Sequence, residues 1–138
     1  MSVENTVQTQ GLNHLGLSVR NLAATTDFFV KLLGWEMSGF DASYPRCAVS
    51  DGALKLTLWQ IEDPQQVAGF NRRRNLGLHH LALTVASEKK LQSLHLAAAQ
   101  YSGVKIEFSP ELLAGGPRKH MMCTEPGGLR IEFIWPGN

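Results

Sequence analysis

The sequence contains one passage twice. Gly11-Leu-Asn-His-Leu-Gly-Leu-Ser-Val19 returns as Gly77-Leu-His-His-Leu-Ala-Leu-Thr-Val85, identical at six of nine positions and displaced by 66 residues. Further on, Asp51-Gly-Ala-Leu-Lys-Leu-Thr-Leu58 is echoed by Pro126-Gly-Gly-Leu-Arg-Ile-Glu-Phe133, displaced by 75. The nine extra residues of the second copy fit the loop Pro110-Glu-Leu-Leu-Ala-Gly-Gly-Pro-Arg118. Two echoes in the same order require two copies of one supersecondary unit, which narrows the available folds sharply.

Each copy reads the same way. Residues 12–19 alternate and are rich in β-formers, so they form a strand. Asn21 caps a helix whose apolar positions, Leu22, Thr25, Phe28/Phe29 and Leu32/Leu33, recur at helical spacing until Gly34. Strands follow at about 35–40, 44–50 and 53–60, parted by Pro45 and by Asp51-Gly52. In the second copy, strand 78–85 leads to a helix with Leu91, Leu94, Ala98 and Tyr101 on one face. Strands near 104–109, 119–124 and 128–135 complete it. The chain is therefore α+β: a βαβββ module over 11–60, a linker over 61–76 and a second βαβββ module over 77–136. All of this lies in one domain, 11–138, behind a flexible tail, 1–10.

At 138 residues such a domain buries roughly two-thirds of its unfolded surface and needs no disulfide or structural metal. Thirteen basic and twelve acidic residues leave a net charge of +1, with no field to attract nucleic acid or an anionic membrane. No apolar run approaches the roughly 18 residues of a membrane span. Two cysteines, Cys47 and Cys123, form no CxxC pair and read as small core residues. The start of the chain has neither the basic nor the apolar region of a signal peptide, so the expected location is the cytoplasm.

Side chains alternate across a strand, and each helix must cover one face of its sheet. Leu15, Leu17 and Val19 form one covered set, and Leu81, Leu83 and Val85 the other. His14, His80 and Glu132 then fall on the helix-free face at related positions of the two copies. Gly16 and Ala82, two residues beyond each histidine, leave room beside the imidazoles. Two imidazoles and a carboxylate are the ligand set of a facial triad that leaves coordination positions open for substrate. The expected cofactor is a divalent ion; the ligand set favours Fe(II) or Mn(II), and zinc, nickel and cobalt also suit it.

The repeated His-Leu-x-Leu-x-Val strands, Asp27-Phe-Phe-Val-Lys-Leu-Leu-Gly34 and Glu125-Pro-Gly-Gly-Leu-Arg-Ile-Glu-Phe133 resemble the vicinal oxygen chelate superfamily. It includes glyoxalase I, extradiol dioxygenases, fosfomycin-resistance thiol transferases and bleomycin-binding proteins. The resemblance runs from about Gly11 to Pro136. It implies an eight-stranded mixed sheet, curled around a metal cavity with helices on its outer face. It also implies metal positions at His14, Thr57, His80 and Glu132, a small substrate with adjacent oxygens, and a homodimer. Thr57 departs from the pattern, because glyoxalase I-like members carry a ligand and base there and a threonine hydroxyl is neither. Met122 stands where dioxygenases place a tyrosine.

Other residues are candidates for the cavity. His120 is a candidate proton shuttle, and Arg118 beside it a candidate anion contact. Lys55 and Arg130 share the metal-facing register and suit an anionic substrate, while Trp59 and Met122 supply apolar wall. The expected function is that of a metal-dependent enzyme, leaning towards an extradiol dioxygenase because Thr57 removes the glyoxalase base. The alternatives are a glyoxalase-like lyase or isomerase, a glutathione or other thiol transferase, and a metal-free ligand-sequestering protein of the bleomycin-resistance type.

Overall fold

A computed structural model describes residues 6–138, so the first five residues of the expected tail lie outside the described part. Both modules are present, each βαβββ in order. In the first, β1 (Leu15–Val19) leads to α1 (Leu22–Asp27), then β2 (Glu36–Asp41), β3 (Arg46–Ser50) and β4 (Lys55–Gln60). In the second, β5 (Leu81–Thr84) leads to α2 (Glu88–Gln100), then β6 (Lys105–Leu112), β7 (Lys119–Thr124) and β8 (Arg130–Trp135). The eight strands divide into two four-stranded mixed sheets, ordered β1-β4-β3-β2 and β5-β8-β7-β6. In both, the first strand of the module runs parallel to the last, and the remaining pairs are antiparallel. Among the described residues no helix is long and apolar enough to cross a membrane.

Local chemistry sets the boundaries. Asn21 Oδ1 accepts from Ala24 N–H at 3.0 Å and Ser87 Oγ from Lys90 N–H at 3.0 Å, so each helix begins on a side-chain cap. The first helix does not run regularly to Gly34; beyond Asp27 it widens into a π-helical turn over Phe28–Leu32. That turn accommodates two successive phenylalanines, Phe28 and Phe29, which are both fully buried and meet edge to face at 5.4 Å. Leu56 and Leu58 of β4 and Ile131 and Phe133 of β8 are buried at corresponding places in the two copies.

The modules share one core, in which α1 and its π-turn meet the second module. Phe28 packs edge to face on Tyr101 at 6.0 Å, and Thr25 Oγ1 donates to Glu125 Oε2 at 3.0 Å. Glu125 is buried in the β7–β8 turn, and its other oxygen accepts from Leu129 N–H at 3.0 Å. A Cβ on Gly127 would stand 2.5 Å from Thr25 Oγ1, so only glycine fits there. This seam joins the helix sides of the modules and leaves the helix-free face of each sheet for other contacts.

Candidate metal centre

Residues 79–80 lie just before β5, not within a strand, and there strict alternation fails. His79 and His80, which a strand would send to opposite faces, approach Nδ1 to Nδ1 at 2.8 Å with rings edge to face at 5.0 Å. His80 Nε2 in turn lies 3.2 Å from Glu132 Oε1 on β8. On β7, Met122 pairs directly with Glu132, and His120, two residues away, reaches the same carboxylate diagonally. His120 Nδ1 donates to Glu132 Oε2 at 2.5 Å. Its ring lies 4.8 Å from that of Phe108, and its Nε2 is 3.7 Å from Glu111 Oε1. The side chains of Glu132 and His120 are only 10% and 12% exposed, against 34% for His80. A carboxylate so withdrawn from water needs partners, and the two imidazoles supply them.

Arg130, next but one on β8, has its guanidinium fully engaged. Nε and Nη2 donate to the two oxygens of Glu107 at 3.1 and 2.8 Å, and Nη1 donates to the His79 carbonyl at 2.9 Å. Those bonds hold the Glu107 carboxyl below its ordinary value despite partial burial. Burial, followed by the Arg130 charge, lowers His79. Burial, with Glu125 adding to it, pushes the Cys123 thiol up to about 12.

The structure thus gathers His80, Glu132, His120 and Met122 and leaves the first-module candidates elsewhere. His14 is exposed just before β1, and its Nδ1 pairs with Asn13 Oδ1 at 2.8 Å. Thr57 and Trp59 sit together on β4, where Trp59 Nε1 donates to Thr57 Oγ1 at 3.0 Å. Gly16, paired with Thr57, leaves space for that bond, since a Cβ there would stand 3.2 Å from Thr57 Oγ1. Arg46 covers the Trp59 ring at 5.2 Å and Tyr44 meets it edge to face at 5.0 Å. Lys55 and Arg118 are exposed.

Glu107, Glu111 and Phe108 were not among the sequence candidates. The run Lys105-x-Glu107-x-Ser109-x-Glu111 carries their signal, but two irregularities in the β6–β7 register break the alternation that would have placed them.

Among the described residues no cluster of three His, Cys, Asp or Glu side chains is disposed to hold a metal ion. The pair His80 Nε2 and Glu132 Oε1 nevertheless suits two neighbouring positions on one ion. Bonds of about 2.1 Å at a right angle put donor atoms about 3 Å apart. One chain therefore fits a metal in part, with two of the three expected donors.

A sequence model of the Glyoxalase/Bleomycin resistance protein/Dioxygenase superfamily matches residues 11–133. The chain belongs to this superfamily. Solved members agree in fold. A glyoxylase/bleomycin resistance protein/dioxygenase domain from Frankia sp. EAN1pec superposes with a TM-score of 0.76 at 20% identity, covering 94% of this chain and 99% of that one. A candidate glyoxalase from Bacillus halodurans gives 0.75 at 28% identity over 91% and 95%. A glyoxalase family protein from Enterococcus faecalis gives 0.68 at 20% over 91% and 97%. The superfamily is one whose members are often enzymes and often bind divalent metals, and the α+β architecture of paired βαβββ modules is the shared element.

Proposed function

We propose that this protein is a divalent-metal-dependent enzyme of the superfamily, acting as a homodimer in the cytoplasm on a small organic molecule with adjacent oxygens. The observation that carries this reading is the approach of His80 Nε2 to Glu132 Oε1 at 3.2 Å, with His120 gripping the other carboxylate oxygen. Those two residues would hold the ion, Fe(II) or Mn(II) by preference of the donor set, with His14 of a second copy as the third ligand. In that dimer the first-module face of the second copy, carrying His14, Lys55, Thr57 and Trp59, closes over His80, Glu132, His120 and Met122. When bound, the ion supplies Lewis acidity and a template for two neighbouring oxygens.

The chain's own groups do the rest. Met122 and Trp59 keep water from the bound molecule. Arg118 and Lys55, both exposed, would meet an anionic substituent. His120, its Nδ1 proton committed to Glu132, has Nε2 left to take and return a substrate proton, with Glu111 beyond it. Thr57 accepts from the Trp59 indole and offers no base, which favours an extradiol-dioxygenase-like oxidation over a glyoxalase-like isomerisation.

Metal analysis of protein purified without added metal tests the reading together with hybrid dimers. Wild type is expected to hold about one ion per chain, and His14→Ala and Glu132→Ala none. Mixing the two variants should restore one site per hybrid dimer, because one face of each hybrid carries both intact residues. Restoration that fails on mixing, with subunit exchange demonstrated, rules out the shared site. Metal-free wild type that still captures a ligand supports sequestration in its place.

A further inference from the structure

We propose that a cavity between the two modules, on the helix side of the sheets, binds a small monocarboxylic acid with an apolar chain or ring. The site is separate from the metal pair and does not depend on it. Phe133 and Glu132 are successive residues of β8 and point to opposite faces, and of the two only Phe133 lines this cavity.

The cavity holds about 340 Å³ and takes its walls from both modules. The first supplies Leu33, just past the π-turn, and Trp35; the second supplies Leu83 of β5, Leu94 of α2 and Phe133. Trp35 and Phe133 are buried, and Trp35 is braced by the Phe29 ring at 4.9 Å. Leu33, Leu83 and Leu94 are only half-buried. Helix α2 packs over β6, β7 and β8 of its own module, and these leucines keep open space before them. Apolar walls around such a volume favour an apolar occupant over water. At about 30 Å³ for each non-hydrogen atom, as in liquid water, the space suits a molecule of about ten such atoms.

The edge of the cavity decides the charge of that molecule. Asp51, Ser93 and Lys90 stand there. Asp51 Oδ1 accepts from the N–H groups of Ala53 and Leu54 at 2.9 and 2.8 Å, so this carboxylate serves its own turn. Ser93 Oγ donates to the Lys90 carbonyl at 3.0 Å. The Lys90 ammonium is uncommitted: among the described residues no carboxylate oxygen lies within 4.0 Å of it, whereas Lys31 and Lys119 each have one. An apolar floor with one available cation at its edge fits an amphiphile whose single charge is negative. Asp51, from the other module, repels that charge and turns the carboxylate towards α2.

The test uses the full chain with 8-bromooctanoate, whose bromine quenches an indole it touches. The sequence has three tryptophans, so Trp59→Phe/Trp135→Phe leaves Trp35 as the reporter. Saturable quenching is expected, reversed by competing octanoate. Lys90→Met should weaken octanoate binding about two- to fivefold, the range of an exposed ion pair, and Asp51→Asn should tighten it. Ala97→Phe should abolish binding, since Ala97 lines the cavity and is exposed, so the ring fills the space without entering the core. Should that variant not fold, Ser93→Phe, also exposed on the wall, carries the same expectation. Quenching that never saturates, or that survives both filling substitutions, overturns the site. Octan-1-ol binding as tightly as octanoate, or a Lys90→Met protein with unchanged affinity, overturns the assignment of an acid.

Discussion

His120 Nδ1 stands 2.5 Å from Glu132 Oε2, bridging β7 and β8. The bond ties down one oxygen of a carboxylate that is itself nearly buried and leaves the other oxygen for His80. Replacing His120 with glutamine is expected to weaken binding of divalent metal about 10- to 100-fold while leaving the fold intact. Competition with a chromophoric chelator measures the loss, and unchanged affinity would remove His120 from the site.

A second prediction concerns the seam between the modules. Thr25→Ala removes a donor from the buried Glu125 carboxylate and should cost about 1–3 kcal/mol. Gly127→Ala forces a methyl to within 2.5 Å of Thr25 Oγ1 and 2.7 Å of Glu125 Oε1, with a similar cost of about 1–3 kcal/mol. Because Thr25→Ala also removes the nearer of the two clashes, leaving that with Glu125 Oε1, the double variant should lose less than the sum. Urea denaturation of the four proteins closes the cycle.

A third follows from Glu107, which Arg130, Arg72 and His79 surround. Its folded carboxyl lies below its ordinary value of 4.5, so the unfolded chain takes up the proton first as pH falls. The pairing therefore adds stability above that value, and the contribution fades as pH drops through the folded one. Melting temperatures of wild type and Glu107→Gln should differ by a constant amount near neutrality and converge in acid. A gap that widens in acid contradicts the assignment.

A fourth concerns the thiols. Cys47 and Cys123 are 1% and 0% exposed, so neither sulfur is within reach of solvent, and burial pushes the Cys123 thiol up to about 12. Iodoacetamide at neutral pH should label neither in the native protein and both in urea. Mass spectrometry of intact protein reads the difference.

Much of the fold was legible because repetition and alternation are one-dimensional signals. Leu15, Leu17 and Val19 face the core while Gly16 and Ser18 face out, as the period of two requires. Leu91, Leu94, Ala98 and Tyr101 mark the packed face of α2 for the same kind of reason. The π-turn at Phe28 was not legible, because two adjacent buried aromatics fit a regular helix pattern as well. The site was legible in its residue types and less so in its partners. His79 meets His80 because the segment is not yet a strand, and Arg130 turns to Glu107 across an intervening strand, which no spacing announces. Nor does the pattern of a single chain say whether faces on two sheets belong to one cavity or to two.

The two sheets repeat one rung: Gly16 beside Thr57 in the first, Ala82 beside Glu132 in the second. One copy fills that rung with an ionisable acid, its sister with a hydroxyl capped by an indole. The repeat is thus broken in chemistry at this matched position. An amino-acid change there has no mirror consequence, and the two halves of the polypeptide are free to diverge.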